Sequence, residues 1–112
     1  MSKVIFVDFD ETIFQGRDYN VPPSTDCLYV LNNLKKQGHE IDIYSFRTNP
    51  LEHPNWVDAT REMVEYLDKH NVPYNRVVSN KPYYDFIIDD RALGIPLKNH
   101  CVDWSKIRKI LN

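Results

Sequence analysis

Three short runs of apolar residues stand out along the chain. Residues 4–7 read Val-Ile-Phe-Val, residues 41–44 are apolar except for one aspartate, and residues 86–88 read Phe-Ile-Ile. Continuous β-branched and aromatic runs of this length predict strands that are buried on both faces, as in a parallel sheet. Val77 and Val78 form a weaker fourth candidate.

Helical patterns separate these runs. Ser24 is a predicted N-cap for a helix that stops at Gly38, the apolar residues between 56 and 67 predict a second helix, and Asp103 is a predicted cap for a third. The inward positions expected for the third helix are Ile107, Ile110 and Leu111. Alternating strands and helices imply right-handed crossovers. We therefore predict a minimal three-layer, Rossmann-like α/β domain with a mostly parallel sheet.

The composition narrows the class of protein. A chain of 112 residues fits a single domain, expected to span residues 1–112. The net charge of −2 disfavours nucleic acid as a partner, because such surfaces are usually basic, although a local basic patch is compatible with these totals. Cys27 and Cys101 belong to no CxxC pair, and the chain has neither a membrane-length apolar run nor a signal-peptide pattern. These features predict a cytoplasmic protein with reduced thiols and no membrane partner.

Polar side chains of a restricted chemistry lie beside the strand candidates. They are Asp8, Asp10 and Thr12 after the first, Ser45 and Arg47 after the second, and Asp89 and Asp90 after the third, with Lys81 shortly before it. Ligands of open parallel sheets bind outside the carboxyl ends of the strands, so we expect these groups at one edge. Clustered carboxylates repel one another unless a cation lies among them, and oxygen-only ligands beside a phosphate indicate Mg²⁺.

The same residue types suit phosphoryl transfer. A carboxylate can attack phosphorus and form an aspartyl-phosphate. A second carboxyl two residues further on can act first as general acid and then as general base. A hydroxyl and an ammonium group can hold the remaining phosphoryl oxygens while negative charge develops.

A family resemblance follows from these motifs. The segment Asp8-Phe9-Asp10-Glu11-Thr12 resembles the first motif of the haloacid dehalogenase (HAD) superfamily. Ser45 resembles the second motif of that superfamily, Lys81 the third, and the pair Asp89-Asp90 the fourth. A lone DxDxT would be a weak signal, but all four motifs occur in the family's order and extend over nearly the whole chain. Residues 81–91 are similar to the small, capless, phosphatase-like members.

The resemblance implies a role for each matching residue. Asp8 would be the nucleophile and a metal ligand, and Asp10 the acid and base, with its backbone carbonyl also on the metal. The remaining implied roles are loop support by Thr12, phosphoryl binding by Ser45 and Lys81, and Mg²⁺ binding by Asp89, Asp90 or both, directly or through water. Arg47 either binds the phosphate or offsets the charge of the acids, and we count it with Thr12 among the candidate phosphate ligands.

Two departures from the family pattern matter. Many members carry Gly where this chain has Glu11, so the loop must tolerate a side chain there. The intervals between Asp10, Ser45 and Lys81 are each used up by one helix and its loops, which leaves no room for a cap domain. Dehalogenation is therefore disfavoured. That reaction needs a closed, dry pocket, and the family members that catalyse it lack an acid/base at the position of Asp10.

The sequence thus predicts a Mg²⁺-dependent phosphatase that acts on a small phosphate monoester. One alternative is a nucleotide or nucleic-acid end phosphatase, since an open site admits bulky substrates; another is a non-catalytic binding protein with the HAD fold. A phosphoacceptor signalling domain is disfavoured, because its aspartate ends a middle strand, where this chain has Ser45 or Ser79. Specificity is expected in residues 14–25 and 47–56, and a second subunit of a homo-oligomer could supply a lid.

Overall fold

A four-stranded parallel sheet forms the centre of the protein. The structure is a computed structural model that describes residues 3–16, 18–51, 53–78, 86–89 and 95–111. The strands are β1 (Val4–Asp8), β2 (Glu40–Tyr44), β3 (Arg76–Val78) and β4 (Phe86–Ile88). They lie in the order β3-β2-β1-β4, and every neighbouring pair is parallel. The four strand predictions are confirmed.

Three helices accompany the sheet, and both of the predicted N-caps are present. The helices are α1 (Thr25–Lys36), α2 (Trp56–Lys69) and α3 (Trp104–Leu111). The Cys27 N–H donates to Ser24 Oγ at 3.0 Å, and the Ser105 N–H donates to Asp103 Oδ1 at 3.2 Å. Such bonds satisfy N–H groups that the first turn of a helix leaves without a partner.

A large cluster of buried side chains packs on one face of the sheet, and Phe6 on the other face is also fully buried. The side chains of Ile5 and Val7 on β1, Ile41 and Ile43 on β2, and Ile88 on β4 belong to one buried cluster. All three helices add residues to that cluster, namely Cys27, Val30, Leu31, Met63, Tyr66, Leu67, Trp104 and Ile107. The α/β prediction with a parallel sheet is therefore confirmed. The helices flank the central sheet, which is consistent with the predicted minimal Rossmann-like fold.

A short hairpin near the C-terminal end of the chain was not predicted. It pairs β5 (Leu97–Lys98) with β6 (Cys101–Val102), and the turn residues Asn99 and His100 have φ values of 54° and 65°. Tight two-residue hairpins favour positive φ at both turn positions. Strands of two residues are too short for a hydrophobic period to be recognised.

Two expectations about apolar side chains are wrong. Ile110 is 68% exposed and Leu111 51% exposed, although Ile107 on the same helix face is buried. The last turn of α3 extends past the core and lines an open cavity of about 390 Å³. Trp104 at the start of the same helix is buried in the core, whereas Trp56 at the start of α2 is 40% exposed.

The connections between strands are short. In the described part of the chain, α1 alone stands between β1 and β2, and a 3-10 turn (Phe46–Thr48) and α2 stand between β2 and β3. No cap domain is inserted at either place among these residues, as the sequence predicted. Within the same ranges, no helix combines the length and apolar character needed to cross a membrane.

Candidate active site

The carboxyl ends of β1, β2 and β4 bring the predicted residues to one edge of the sheet. Asp8 is the last residue of β1 and is paired in register with Tyr44, which directly precedes Ser45. Val7 is paired with Ile88, so Asp8 and Asp89 each lie one step beyond this pair on adjacent strands. The prediction that these three side chains share an edge is confirmed by the register.

A tight turn follows β1 and positions the Asp8 carboxylate. The carbonyl of Phe9 accepts hydrogen bonds from the N–H groups of Thr12, Ile13 and Phe14 at 3.3, 3.1 and 2.9 Å. Thr12 is buried, and its hydroxyl donates to Asp8 Oδ2 at 3.2 Å. The expected support of this loop by Thr12 is therefore a hydrogen bond to the side chain of Asp8 itself.

Glu11 adopts a backbone conformation that favours glycine. Its φ is +56°, in the left-handed region, where a Cβ atom crowds the following carbonyl. This explains in physical terms why the motif that the loop resembles often carries Gly there. The side chain of Glu11 is exposed, so the turn accommodates it without burying its charge.

The second turn, after β2, is organised by Ser45 and Thr48. Ser45 is fully buried, and its Oγ accepts the Arg47 N–H at 3.1 Å and lies 3.4 Å from Asp10 Oδ2. The Thr48 hydroxyl donates to the carbonyls of Ser45 (2.9 Å) and Val78 (3.2 Å). Thr48 thereby ties this turn to β3. In the sequence Thr48 stands with Arg47 just beyond the second strand, but the sequence analysis gave it no role. A Thr three residues after a capping Ser is a recognisable local signal for this turn.

Arg47 is paired with Asp10. Its Nε donates to Asp10 Oδ1 and Oδ2 at 3.1 and 3.0 Å, and its Nη2 donates to Oδ1 at 2.8 Å. The two side chains are only 15% and 25% exposed. Burial by itself would lower the pKa of Arg47, but the hydrogen bonds to Asp10 and Tyr19 outweigh it and raise that pKa above its ordinary value. Arg47 is therefore a permanent cation inside the site.

Aromatic rings surround the guanidinium of Arg47. Its central carbon lies 5.2 Å from the ring centroid of Phe9 and 5.7 Å from the centroids of Phe14 and Tyr19, within cation–π range. Its Nη1 donates to the Tyr19 hydroxyl at 2.6 Å, and that hydroxyl donates to Glu62 Oε2 at 3.0 Å. Sequence reasoning missed Tyr19 and Glu62, because no local pattern links positions so far apart in the chain.

The remaining predicted residues concern the metal and the phosphate. Asp89 is half-buried after β4, whereas Lys81 and Asp90 lie outside the described residues. Among the residues that are described, no group of three or more His, Cys, Asp or Glu side chains is arranged to hold a metal. The side chain of Asp10 faces Arg47, which leaves its backbone carbonyl as the predicted metal-binding group. Asp8 and Asp89 still fit Mg²⁺, which typically takes one or two carboxylates together with waters and substrate phosphate.

Comparison with known proteins identifies solved structures with a similar fold but no matching family. No protein-family model matches the chain, and no curated protein matches it. The structure of a conserved protein from Bacteroides thetaiotaomicron is similar with a TM-score of 0.71 and 23% identity, over 99% of this chain and 90% of that one. A crystal structure from Vibrio cholerae is similar with a TM-score of 0.58 and 27% identity, over 98% and 99%. The chain therefore shares its compact α/β fold with solved bacterial proteins over nearly its whole described length.

Proposed function

We propose that this protein is a Mg²⁺-dependent phosphatase, a capless member of the HAD superfamily that hydrolyses a small phosphate monoester. The observation that carries the proposal is the position of Asp8 and Asp89 at the ends of the adjacent strands β1 and β4, beside Ser45 and Arg47 at the end of β2. Two carboxylates, a hydroxyl and a guanidinium at one sheet edge are the groups that phosphoryl transfer needs.

Asp8 is the proposed nucleophile. One of its oxygens forms a bond to phosphorus while the bond from phosphorus to the leaving oxygen breaks, which gives an aspartyl-phosphate. The Thr12 hydroxyl donates to Asp8 Oδ2 and restricts rotation of the carboxylate. A nucleophile held in one orientation loses less freedom on the way to the transition state.

Asp10 is the proposed acid and base. It gives a proton to the departing oxygen, and it later takes a proton from the water that attacks the aspartyl-phosphate and releases inorganic phosphate. Arg47 holds both Asp10 oxygens, and a guanidinium has donors but no acceptor. The phosphoryl oxygens are a competing acceptor for the same guanidinium fork, which supports Arg47 as a phosphate ligand.

Ser45 and Lys81 are proposed to bind the other phosphoryl oxygens, Lys81 on the strength of its motif alone. The proposed Mg²⁺ ligands are Asp8, Asp89, Asp90 and the Asp10 carbonyl. The ion, when bound, neutralises charge on the phosphoryl oxygens. A cytoplasmic location is part of the proposal and is supported by the free thiols of Cys27 and Cys101.

A phosphatase screen tests the proposal. Sugar, nucleotide and lipid-headgroup phosphates are assayed with and without Mg²⁺, using wild type, Asp8→Asn and Asp58→Asn as a matched control on the exposed face of α2. We expect Mg²⁺-dependent phosphate release that Asp8→Asn abolishes and Asp58→Asn retains. Activity that survives in Asp8→Asn contradicts the nucleophile. Inactivity of the wild type on every ester favours the non-catalytic alternative.

One observation favours a nucleotide as the substrate. Phe46 immediately precedes Arg47 in the 3-10 turn, and it is 51% exposed. An exposed aromatic ring beside a phosphate-binding group can stack on a base. Phe46→Ala is then expected to raise KM for nucleoside monophosphates and to leave KM for sugar phosphates unchanged. Equal changes for both substrate classes contradict base stacking.

A further inference from the structure

Tyr19 and Glu62 extend the Arg47–Asp10 pair into a chain of four side chains. Arg47 cannot accept a hydrogen bond, so the Tyr19 hydroxyl must accept from Nη1. The hydroxyl can then donate its own hydrogen bond only to a different group. That group is Glu62, whose Oε2 lies at 3.0 Å. The direction of every bond in the chain is therefore determined: Arg47 donates to Asp10 at one side and to Tyr19 at the other, and Tyr19 donates to Glu62.

The Tyr19 ring is held in place by contacts that do not use its hydroxyl. It is stacked on Phe14 with centroids 4.7 Å apart and planes 4° from parallel. The backbone carbonyl of Tyr19 lies 2.9 Å from His70 Nε2, and Tyr66 on α2 donates to the neighbouring Val21 carbonyl at 2.8 Å. Loss of the hydroxyl alone should thus leave the ring where it is.

The guanidinium is held by two polar groups, Asp10 at Nε and Nη2 and Tyr19 at Nη1. Its ring contacts are attractions that do not themselves oppose rotation of the guanidinium in its own plane, so its orientation depends on the hydrogen bonds to Asp10 and Tyr19. The bond from Nη1 to Tyr19 (2.6 Å) opposes such rotation, because it anchors the nitrogen that does not contact Asp10. Glu62 makes the Tyr19 oxygen a better acceptor because its carboxylate accepts a charge-assisted hydrogen bond from the Tyr19 hydroxyl.

We propose that Tyr19 and Glu62 are positioning residues that set the orientation of the Arg47 guanidinium and, through it, the carboxylate of Asp10. The effect of this positioning on catalysis rests on the proposed phosphatase function, in which Asp10 is the acid and base. The positioning itself is a property of the free protein and can be measured without any substrate.

Nitrogen-15 NMR of the Arg47 Nε–H provides that measurement. This proton is bonded to Asp10, so its exchange with water is expected to be slow in wild type. Tyr19→Phe keeps the ring and removes the hydroxyl, and we expect exchange to become about 5-fold faster, on the scale of one lost hydrogen bond. Tyr74→Phe is the matched control, because Tyr74 also donates to a carboxylate of α2, Asp68 at 3.0 Å, but contacts no part of Arg47.

A pair of substitutions at Glu62 tests the second positioning residue. Glu62→Ala should accelerate Arg47 Nε–H exchange as Tyr19→Phe does. Glu62→Gln keeps an oxygen that accepts from Tyr19 and should restore most of the wild-type protection. Exchange in Tyr19→Phe and Glu62→Ala that equals wild type and Tyr74→Phe would overturn the proposal.

Substrate kinetics separate this inference from the proposed function. If the protein is a phosphatase, Tyr19→Phe should lose about 5-fold in kcat on glycerol phosphate and less on nitrophenyl phosphate, whose leaving group needs little protonation. Equal loss on both esters contradicts a link to Asp10. A third outcome is also informative: the wild type hydrolyses no ester, but its Arg47 Nε–H exchanges slowly and Tyr19→Phe accelerates that exchange. This outcome would refute the proposed phosphatase function and would support the positioning role of Tyr19.

Discussion

Arg47 and Asp10, which are 37 positions apart in the chain, form a forked ion pair in which Nε and Nη2 hold both carboxylate oxygens at 2.8–3.1 Å. The pair joins the turn after β1 to the turn after β2. Substrate phosphate is the natural competitor for that guanidinium.

Asp10→Asn should separate the two proton transfers. The amide cannot deprotonate water, so hydrolysis of the aspartyl-phosphate should slow by about 10²–10⁴-fold. Nitrophenolate departs with little protonation, so nitrophenyl phosphate should give a burst of up to one equivalent per site before a slow steady state. Alkyl phosphates should lose more activity. Rapid-mix kinetics and mass spectrometry after acid quench detect the burst and the trapped adduct.

Asp8→Asn is the control for that experiment, because without a nucleophile no burst should occur. An Asp10→Asn variant that shows no burst and is slowed equally on both leaving groups would contradict the assigned roles. Asp10 would then act mainly by organising Arg47.

Asp89→Asn should weaken Mg²⁺ binding and activity together. Asp89 follows β4 beside Asp8, and an amide is a poorer ligand for a hard cation than a carboxylate. Asp90→Asn is made in parallel, since either or both can be ligands, and Asp58→Asn serves as the exposed control. Calorimetry measures Mg²⁺ affinity. Unchanged affinity in both the Asp89 and the Asp90 variant would refute the metal site.

Glu11→Gly should stabilise the fold. The left-handed conformation at φ +56° costs a residue with a Cβ about 1–2 kcal/mol, and the greater unfolded-state freedom of glycine offsets part of the gain. We expect the free energy of unfolding to rise by up to about 1 kcal/mol. Glu65→Gly, in the exposed middle of α2, should lower it by about 1 kcal/mol. The free energy of unfolding is measured in urea for both variants. An equal decrease in Glu11→Gly and Glu65→Gly would contradict backbone strain at Glu11.

Arg76→Met should destabilise the protein through Asp42. Asp42 is fully buried on β2, and its Oδ2 accepts from Arg76 Nε at 3.0 Å, while Oδ1 has no hydrogen-bond partner among the residues that the structure describes. Removing the guanidinium leaves a buried carboxylate uncompensated. We expect a loss of about 1–3 kcal/mol, below the range for a fully buried pair because Arg76 is half-exposed.

The control for that loss is Arg61→Met, which breaks an exposed pair with Asp58 and should change the free energy of unfolding by at most about 0.5 kcal/mol. Urea denaturation compares the two variants. Equal small effects would mean that Asp42 is compensated by other groups.

The sequence by itself determined the strands and their common edge. Residues 4–7 form a short continuous run of β-branched and aromatic residues, and its length and composition favour a strand covered by other elements over a buried helix. Residues that follow parallel strands must meet at the carboxyl edge, which is why Asp8, Ser45 and Asp89 were predicted to share it. The helix N-caps could also be predicted from the sequence, because the side chains of Ser24 and Asp103 accept hydrogen bonds from N–H groups within three residues.

Only the tertiary structure decided how the side chains at that edge are connected. Tyr19 is 28 positions from Arg47 and 43 from Glu62, so their contacts depend on where α2 and the segment after β1 pack. The exposure of Ile110 depends likewise on how far α3 extends beyond the core, since periodicity records which face is apolar but not where its partner ends. Local patterns set the elements, whereas the direction of each hydrogen bond in the site depends on distances that exist only after packing.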